Sequence, residues 1–368
     1  MKIFNLSAAA IPSRTANSLQ AMKMSGALAA LGHDVTLFHL AGSDTVAGLD
    51  VHAYYGVEPT FEMVCCRWPP VRVAGSLWYA REVVKRVEAR GLPDRLYGRH
   101  IASLALAARC GRPLVAEVHL PPAHALQRFT LQRVFRSRTF DRLLVISDAL
   151  REEYTRQFPE LRAARVVVAR SAADRAAGGP GMGLAGGRPS APRVGYVGHL
   201  YPGKGLETIS ALADGMPHVD FHVIGGTERD LVRWRRRPSR PNLLLHGHVP
   251  PGDLAAWFRS FPIALAPYQG RVEISGGGDA GQWMSPLKLF EYMAYGLAIV
   301  ASDLPAIREV IRHGSTGLLC QPGDTASWVQ AVQQLVDDPG LARTLGDNAR
   351  ATFEAGHTWH RRARLVFD

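Results

Sequence analysis

Short apolar runs alternate with longer amphipathic stretches along this 368-residue chain, in two series separated by a segment with neither pattern. In the first series, residues 2–6 form an apolar strand. Residues 15–31 carry Leu19, Met22, Gly26 and Ala29 at helical spacing before Gly32 closes the helix, and residues 35–40 return to strand. Two strands joined through a helix run parallel, so the pattern predicts an α/β sheet. Further strands fit residues 114–118, 143–147 and 165–169, and a strongly basic helix fits 75–89. In the second series, strands fit 193–197, 221–224, 243–246, 263–267, 298–301 and 317–319. The helices between them fit 205–213, 229–236, 253–259, 286–295, 307–313 and 325–337, and a helical tail over 341–368 carries Trp359 and several arginines. Strands and helices in strict alternation specify doubly wound sheets, and ligands of such sheets bind beyond the carboxyl ends of the strands.

The separating segment, residues 171–192, reads SAADRAAGGPGMGLAGGRPSAP. It contains a literal G-x-G-x-x-G, Gly181 to Gly186, but no strand precedes it and no helix follows, so it reads as a flexible linker rather than a dinucleotide loop. The predicted division is residues 1–172, a Gly/Pro-rich linker at 173–192, a second domain at 193–345 and a final helix at 346–368.

Composition narrows the function classes. At 47% apolar and 20% charged residues the chain is globular rather than disordered. Its 4 cysteines show no CxxC or Cys/His zinc spacing, which argues against a disulfide framework and a structural metal. No apolar run approaches the roughly 18 residues of a membrane span, and Ser7, Ser13 and Arg14 interrupt any leader-like core. A cytoplasmic protein is expected. The 43 Lys and Arg exceed the 32 Asp and Glu, giving a net charge of +11. Basic residues gather at 67–99, 128–142 and 229–240 without a nucleic-acid motif, so solvated helix faces and an anionic partner such as a membrane surface are both open.

Three places carry chemistry. Gly198-His199-Leu-Tyr-Pro-Gly203-Lys204-Gly205 follows a strand and opens a helix, which aims backbone N–H groups and a lysine at a phosphate. Gly205 stands where a P-loop needs its metal-binding hydroxyl, so a metal-free diphosphate site is expected rather than NTP hydrolysis. Ser285-Pro-Leu287-Lys288-Leu-Phe-Glu291 opens a helix on which one carboxylate sits among Phe290, Met293 and Ala294. That carboxylate either grips a ligand hydroxyl or belongs to a structural ion pair. His119, at a strand end, is a proton shuttle, a substrate-bonding group or a packed histidine. His246-x-His248 has no third metal ligand nearby and reads as strand-end structure.

With these residues assembled, the chain resembles the retaining glycosyltransferases of family four over nearly its whole length. The resemblance rests on Pro12-Ser13-Arg-Thr-Ala-Asn17 through Met24, on Gly198 to Glu207, on Ser285 to Gly296 and on Ala301 to Glu309. It implies the GT-B fold: two facing Rossmann-like doubly wound domains with a C-terminal crossover helix, the first holding the acceptor and the second a nucleotide-sugar. Carried over, Lys204 is similar to the diphosphate-binding lysine, and His199 stands where the family usually has arginine. Glu291 is similar to the ribose-binding glutamate, and His119 to the histidine that bonds the donor sugar.

His119, Lys204 and His199 are thus the catalytic candidates. Gly198, Gly203, Gly205, Ser285, Leu287, Lys288 and Glu291 are the nucleotide-sugar candidates, with Leu287 and Lys288 contributing backbone groups. Ser13, Asn17 and Asp279 are candidates on the acceptor or sugar side. Trp283 replaces the first glutamate of the family's E-x7-E pattern, and Asp279 or Glu273, beside the Gly-rich residues 275–278, is its candidate substitute.

The resemblance implies a UDP- or GDP-linked sugar as donor, no metal or other cofactor, a glycan or lipid-linked acceptor and no nucleic-acid partner. No D-x-D pair occurs in the chain. Cell-surface polysaccharide, lipopolysaccharide or glycolipid synthesis is the expected setting, at the cytoplasmic membrane face. A GT-B sugar-nucleotide epimerase and a non-catalytic basic nucleic-acid-binding or scaffold protein are the alternatives.

Overall fold

The computed structural model describes residues 1–42, 48–68, 75–181, 184, 186–273, 279 and 281–367. It divides into two units, Met1–Arg170 with Trp359–Asp368, and Ser171–Thr358.

The first unit opens with β1 (Lys2–Ile11), α1 (Ala16–Ala30), β2 (Asp34–Ala41), α2 (Val51–Tyr55), β3 (Glu62–Cys66) and α3 (Gly75–Ala89). It continues through β4 (Arg95–Gly98), α4 (Ile101–Ala107), β5 (Leu114–Val118), α5 (Ala125–Phe135), β6 (Phe140–Val145), α6 (Asp148–Gln157) and β7 (Val166–Val168). The strands form one seven-stranded parallel sheet in the order β3-β2-β1-β4-β5-β6-β7. Helices cover a parallel sheet on both faces, which is why Leu114–Val118 is buried at every residue. Hydroxyl caps set the starts of α1 and α6, where Thr15 accepts from the Ser18 N–H and Ser147 from the Leu150 N–H. Strands β3 and β4 escape a reading of apolar runs because one starts on Glu62 and the other is four residues long and starts on Arg95.

The second unit runs β8 (Arg193–Val197), α7 (Leu206–Gly215), β9 (Asp220–Ile224), α8 (Glu228–Arg235), β10 (Leu243–Gly247), α9 (Leu254–Phe258) and β11 (Ile263–Ala266). Then follow α10 (Leu287–Ala294), β12 (Ala298–Ser302), α11 (Pro305–Arg308), β13 (Leu318–Cys320), α12 (Thr325–Asp337) and α13 (Pro339–Gly356). Its six parallel strands are ordered β10-β9-β8-β11-β12-β13. Both units are Rossmann-like, and in each the strand order reverses beside the first strand, between β1 and β4 and between β8 and β11.

Three local readings differ from the structure. The helix expected over 307–313 is the short α11, because the Arg312 N–H bonds the Thr316 hydroxyl (2.8 Å) and Gly314 turns the chain at φ +70°. The tail is not one helix. It breaks at His357 and Thr358, where Thr358 pairs with Ala173, and α14 (Trp359–Arg364) begins anew and packs on α1 of the first unit. The segment read as a flexible linker is fastened to the second unit. Arg188 pairs with Asp220 (2.6 Å), and Arg259 donates to the carbonyls of Ala177 (2.7 Å) and Pro180 (2.9 Å). Within its G-x-G-x-x-G string, Met182, Gly183 and Ala185 lie outside the described residues.

Candidate functional site

In the second unit the chain leaves β8 at Gly198 and re-enters helix at Leu206, and two glycines make the turn. Gly203 and Gly205 have φ of +83° and +88°. A Cβ on Gly205 would overlap the Pro267 carbonyl oxygen, and one on Gly203 the Arg271 carbonyl. Only glycine lets this loop lie against the segment after β11. Gly205 caps α7 without a side chain, so the first N–H groups of the helix remain to be satisfied from outside it.

Two lysines converge on this loop. Lys204 enters from the loop itself and Lys288 from the first turn of α10, and their ammonium groups flank the Tyr268 ring at 5.1 and 5.2 Å. The Lys288 ammonium also lies 3.6 Å from the Tyr196 ring centre and 2.8 Å from where a Cβ of Gly198 would stand. Lys288 is only 8% exposed, and its Nζ has no hydrogen-bond partner among the described residues. Burial, and then repulsion from Lys204, hold its pKa well below the ordinary lysine range, against the pull of Glu291. Burial brings Lys204 down to about 8. A buried lysine without a hydrogen-bond acceptor is costly to charge, and an anion placed at the helix start would favour the charged form of both lysines and satisfy the orphan N–H groups together. The Tyr292 hydroxyl accepts from the Val197 N–H (2.8 Å) and donates to the Leu265 carbonyl (3.3 Å), locking β8, β11 and α10 in place around the loop.

The first unit gathers polar groups at the carboxyl ends of its strands in a different way. Glu117, the fourth residue of β5, has a fully buried side chain. Its Oε1 accepts from Arg362 Nη2 (2.9 Å), from His119 Nε2 (2.6 Å) and from Gln20 Nε2, while Oε2 accepts from the Tyr97 hydroxyl (2.5 Å). Arg99 in turn donates to Gln20 Oε1 (2.5 Å). Burial alone would raise the Glu117 pKa, but Arg362, the His119 bond and Arg99 hold it well below the usual carboxylate range. Burial, followed by Arg99, pushes His119 down to about 4.

The sequence matches Glycosyltransferase Family 4 over residues 20–176 and Glycosyl transferases group 1 over residues 191–338. The chain belongs to the family-four glycosyltransferases. Its fold is GT-B. Sucrose-phosphate synthase from Thermosynechococcus elongatus aligns with a TM-score of 0.72 at 16% identity, over 100% of this chain and 97% of that one. Anabaena HepE in complex with UDP-glucose aligns with a TM-score of 0.71 at 15% identity, over 100% and 98%. Among curated relatives, the lipopolysaccharide core biosynthesis mannosyltransferase of Rhizobium leguminosarum bv. viciae is 31% identical over 124 residues, 34% of this chain and 31% of that protein. The chain spans 17%, 31% and 34% of the length of the first curated relatives it matches.

Within this glycosyltransferase, Gly198, Gly203, Lys204, Gly205, Leu287, Lys288 and Glu291 are carried by the two segments that meet beside Tyr268. Lys288 was expected to offer backbone groups; the structure adds its ammonium. His199 stacks flat on Tyr201 (4.8 Å, 4°), and its carbonyl accepts from the Tyr196 hydroxyl (2.7 Å). The Ser285 hydroxyl accepts from the Ser171 N–H (2.8 Å), which ties α10 to the start of the unit.

Other candidates have local work. The Ser13 hydroxyl bonds Thr15 (3.0 Å) and Ser18 (3.0 Å) and shapes the turn into α1. Asn17 is different: its Oδ1 is buried with no hydrogen-bond partner among the described residues. Asp279 accepts from the N–H groups of Val272 (2.9 Å) and Gly281 (2.8 Å), bonds that lower its pKa, so it clamps its own loop. Residues 275–278 lie outside the described residues. Glu117, Arg362, Tyr196 and Tyr268 were not singled out by the sequence. A glutamate inside the apolar string LVAEV was the one available signal, because an unpaired carboxylate is not tolerated in such a strand.

Proposed function

We propose that this glycosyltransferase moves a hexose-type sugar from a UDP- or GDP-sugar to a glycan or lipid-linked acceptor, with retention at the anomeric carbon and without a metal. The observation that carries the reading is the buried Lys288 Nζ, without a hydrogen-bond partner among the described residues, beside Lys204 and the start of α7. Two lysines, whose charged forms a bound anion favours, and a helix end can stabilise the negative charge that develops as a nucleoside diphosphate departs, which is the task a metal performs elsewhere. In the transfer the acceptor oxygen forms the new bond to the anomeric carbon and the sugar–phosphate bond breaks. The electron pair leaves on the diphosphate, and the hydroxyl proton passes to that departing phosphate. His119 bonds the sugar in this scheme, as the family resemblance implies. Donor type is supported by HepE, whose structure holds UDP-glucose, and the cell-surface setting by the Rhizobium mannosyltransferase.

A thermal-shift screen against UDP, GDP and their sugars, followed by product analysis with and without candidate acceptors, tests the reading. Stabilisation by one nucleotide and acceptor-dependent loss of its sugar are the expected results. An altered nucleotide-sugar formed without acceptor would instead indicate the epimerase. No shift with any nucleotide, together with salt-sensitive binding to DNA or RNA, would overturn the reading.

A second feature supports a membrane-held acceptor. Helices α3 and α5 open where β3 and β5 leave the sheet, and both pack on α4. Their first turns expose Leu77, Trp78 (54%), Leu126 (70%) and Phe129 (55%). Arg81 lies over the Trp78 ring (5.7 Å) and Arg133 over the Phe129 ring (6.0 Å). Amphipathic aromatic rings among arginines suit the interface of an anionic bilayer. Among the described residues no helix is long and apolar enough to cross one. Sedimentation with anionic vesicles should carry the protein down more strongly than neutral vesicles do, and equal binding to both would reject the reading.

A further inference from the structure

One side chain in the Glu117 cluster comes from far away in the sequence. Arg362, on α14, is 245 residues from Glu117 and 2% exposed. Its Nη2 also donates to the Ala169 carbonyl (3.2 Å) and its Nε to the Arg170 carbonyl (2.9 Å), so the guanidinium is fixed on both sides of the carboxylate bond. The charged and titratable groups facing His119 come from three elements. Glu117 lies on β5 two residues before it, Arg99 follows β4, and Arg362 comes from α14; Tyr97 on β4 and Gln20 on α1 complete the shell.

The charge count has a consequence. Arg362 is the permanent cation bonded directly to the buried carboxylate, at 2.9 Å, and Arg99, which reaches the cluster through Gln20, adds to the same positive field. His119 therefore need not carry charge to sit beside Glu117; it has only to donate one N–H. The atom within 2.6 Å of the carboxylate is Nε2, so the proton belongs there and Nδ1 is left with a lone pair. The His119 side chain is 21% exposed, so the cluster does not enclose it completely.

We propose that Arg362 is a positioning residue for His119: by neutralising Glu117 it keeps the imidazole uncharged and in the Nε2–H tautomer, so that Nδ1 accepts a hydrogen bond from a ligand hydroxyl. The inference rests on the reading of His119 as a ligand-contacting group. It deepens that reading by stating which hydrogen-bond role the ring plays and which remote residue sets it. Without Arg362 the buried carboxylate loses the counter-charge bonded directly to it, and His119, 2.6 Å away, is the adjacent group able to take up a proton in its place. The ring would then be an imidazolium, Nδ1 would carry a hydrogen, and its polarity toward the ligand would invert. Burial and Arg99 already oppose protonation of His119, and Arg362 acts in the same sense.

The test uses the full chain labelled with ¹⁵N-histidine, with the His119 signals assigned by their loss in His119→Asn. In the native protein His119 should show the neutral Nε2–H pattern, unchanged between pH 8 and pH 5. In Arg362→Gln its titration should move from about 4 toward 6.5 or above, and the acid limb of the pH–rate profile should rise with it. Arg362→Lys should hold the native pattern because the charge is kept. Pairing Glu117→Gln with Arg362→Gln should return a neutral ring.

An Nδ1–H tautomer in the native protein, or an unchanged titration in Arg362→Gln, overturns the proposal. Should Arg362→Gln not fold, the native spectrum still decides. Unimpaired transfer by His119→Ala would reject the catalytic reading of His119 while leaving the spectral result standing, so the two failures are distinguishable.

Discussion

The two sheets face one physical problem, a charged group taken out of water, and meet it in opposite ways. In the first unit the Glu117 carboxylate receives four donors, from Gln20, Tyr97, His119 and Arg362. In the second unit the Lys288 ammonium lies against two tyrosine rings and meets no hydrogen-bond acceptor among the described residues. A charge satisfied within the fold holds the fold together. A charge left unsatisfied costs stability, and it is tolerable where a ligand is to supply the missing partner. The first cluster therefore reads as a device for holding His119, and the second as a receptor for an anion.

The comparison can be broken by experiment, and the largest expected effect is on stability. Arg362→Met takes from Glu117 the counter-charge bonded to it and should cost about 3–5 kcal/mol in urea unfolding at a pH above that at which His119 could take up a proton in its place. A loss below about 1 kcal/mol would show that the cluster is not the internal anchor described. Next comes turnover. Lys204→Ala should lower kcat by about 100- to 1,000-fold with the fold retained by circular dichroism, the scale seen when one transition-state donor is removed. Full activity would remove Lys204 from the site.

Lys288→Met sharpens the contrast with Arg362→Met, because it removes a buried amine that has no hydrogen-bond partner among the described residues. The nucleotide-free protein should be no less stable than the native one, while the thermal upshift on adding nucleotide should shrink. A large loss of stability without ligand would mean that Lys288 is structural.

Smaller still is the pH effect. Lys204 sits near 8 when free, and a bound phosphate raises it, so binding takes up a proton only above that point. Nucleotide affinity should be flat from this group below pH 8 and should fall above it by up to about tenfold per pH unit, measured calorimetrically in buffers of different ionisation enthalpy. The smallest change is expected at the surface. Arg81→Ser or Arg133→Ser should weaken anionic-vesicle binding by about 1 kcal/mol each, with transfer to a soluble acceptor unchanged.

How much of this was legible beforehand follows from distance along the chain. All six strands of the second sheet were found, because they are runs such as IALA and AIVAS bounded by turn residues. In the first sheet EMVCC and RLYG were missed, since short strands with a charged end resemble loops. The loop around Lys204 was legible because glycines, lysine and helix start are consecutive, and their geometry is set by neighbours in sequence. The Lys288 ammonium was not, since its meeting with Gly198 spans 90 residues of intervening fold. The linker misled for the same reason: glycine and proline speak of local freedom, whereas the hydrogen bonds of Arg188 and Arg259 that remove it are tertiary.

The sequence alone determined the alternation of strand and helix, the two parallel sheets and the glycine turn ahead of α7. These depend on periodicity and on φ values open to glycine, both properties of adjacent residues. Tertiary structure decided which charges are paired and which are left waiting, because burial and hydrogen bonding are fixed by whatever arrives from elsewhere in the chain. Glu117 is a strand residue in the sequence, and Arg362 is one arginine among several in a basic tail. Only packing α14 against α1 makes them an ion pair, beside His119.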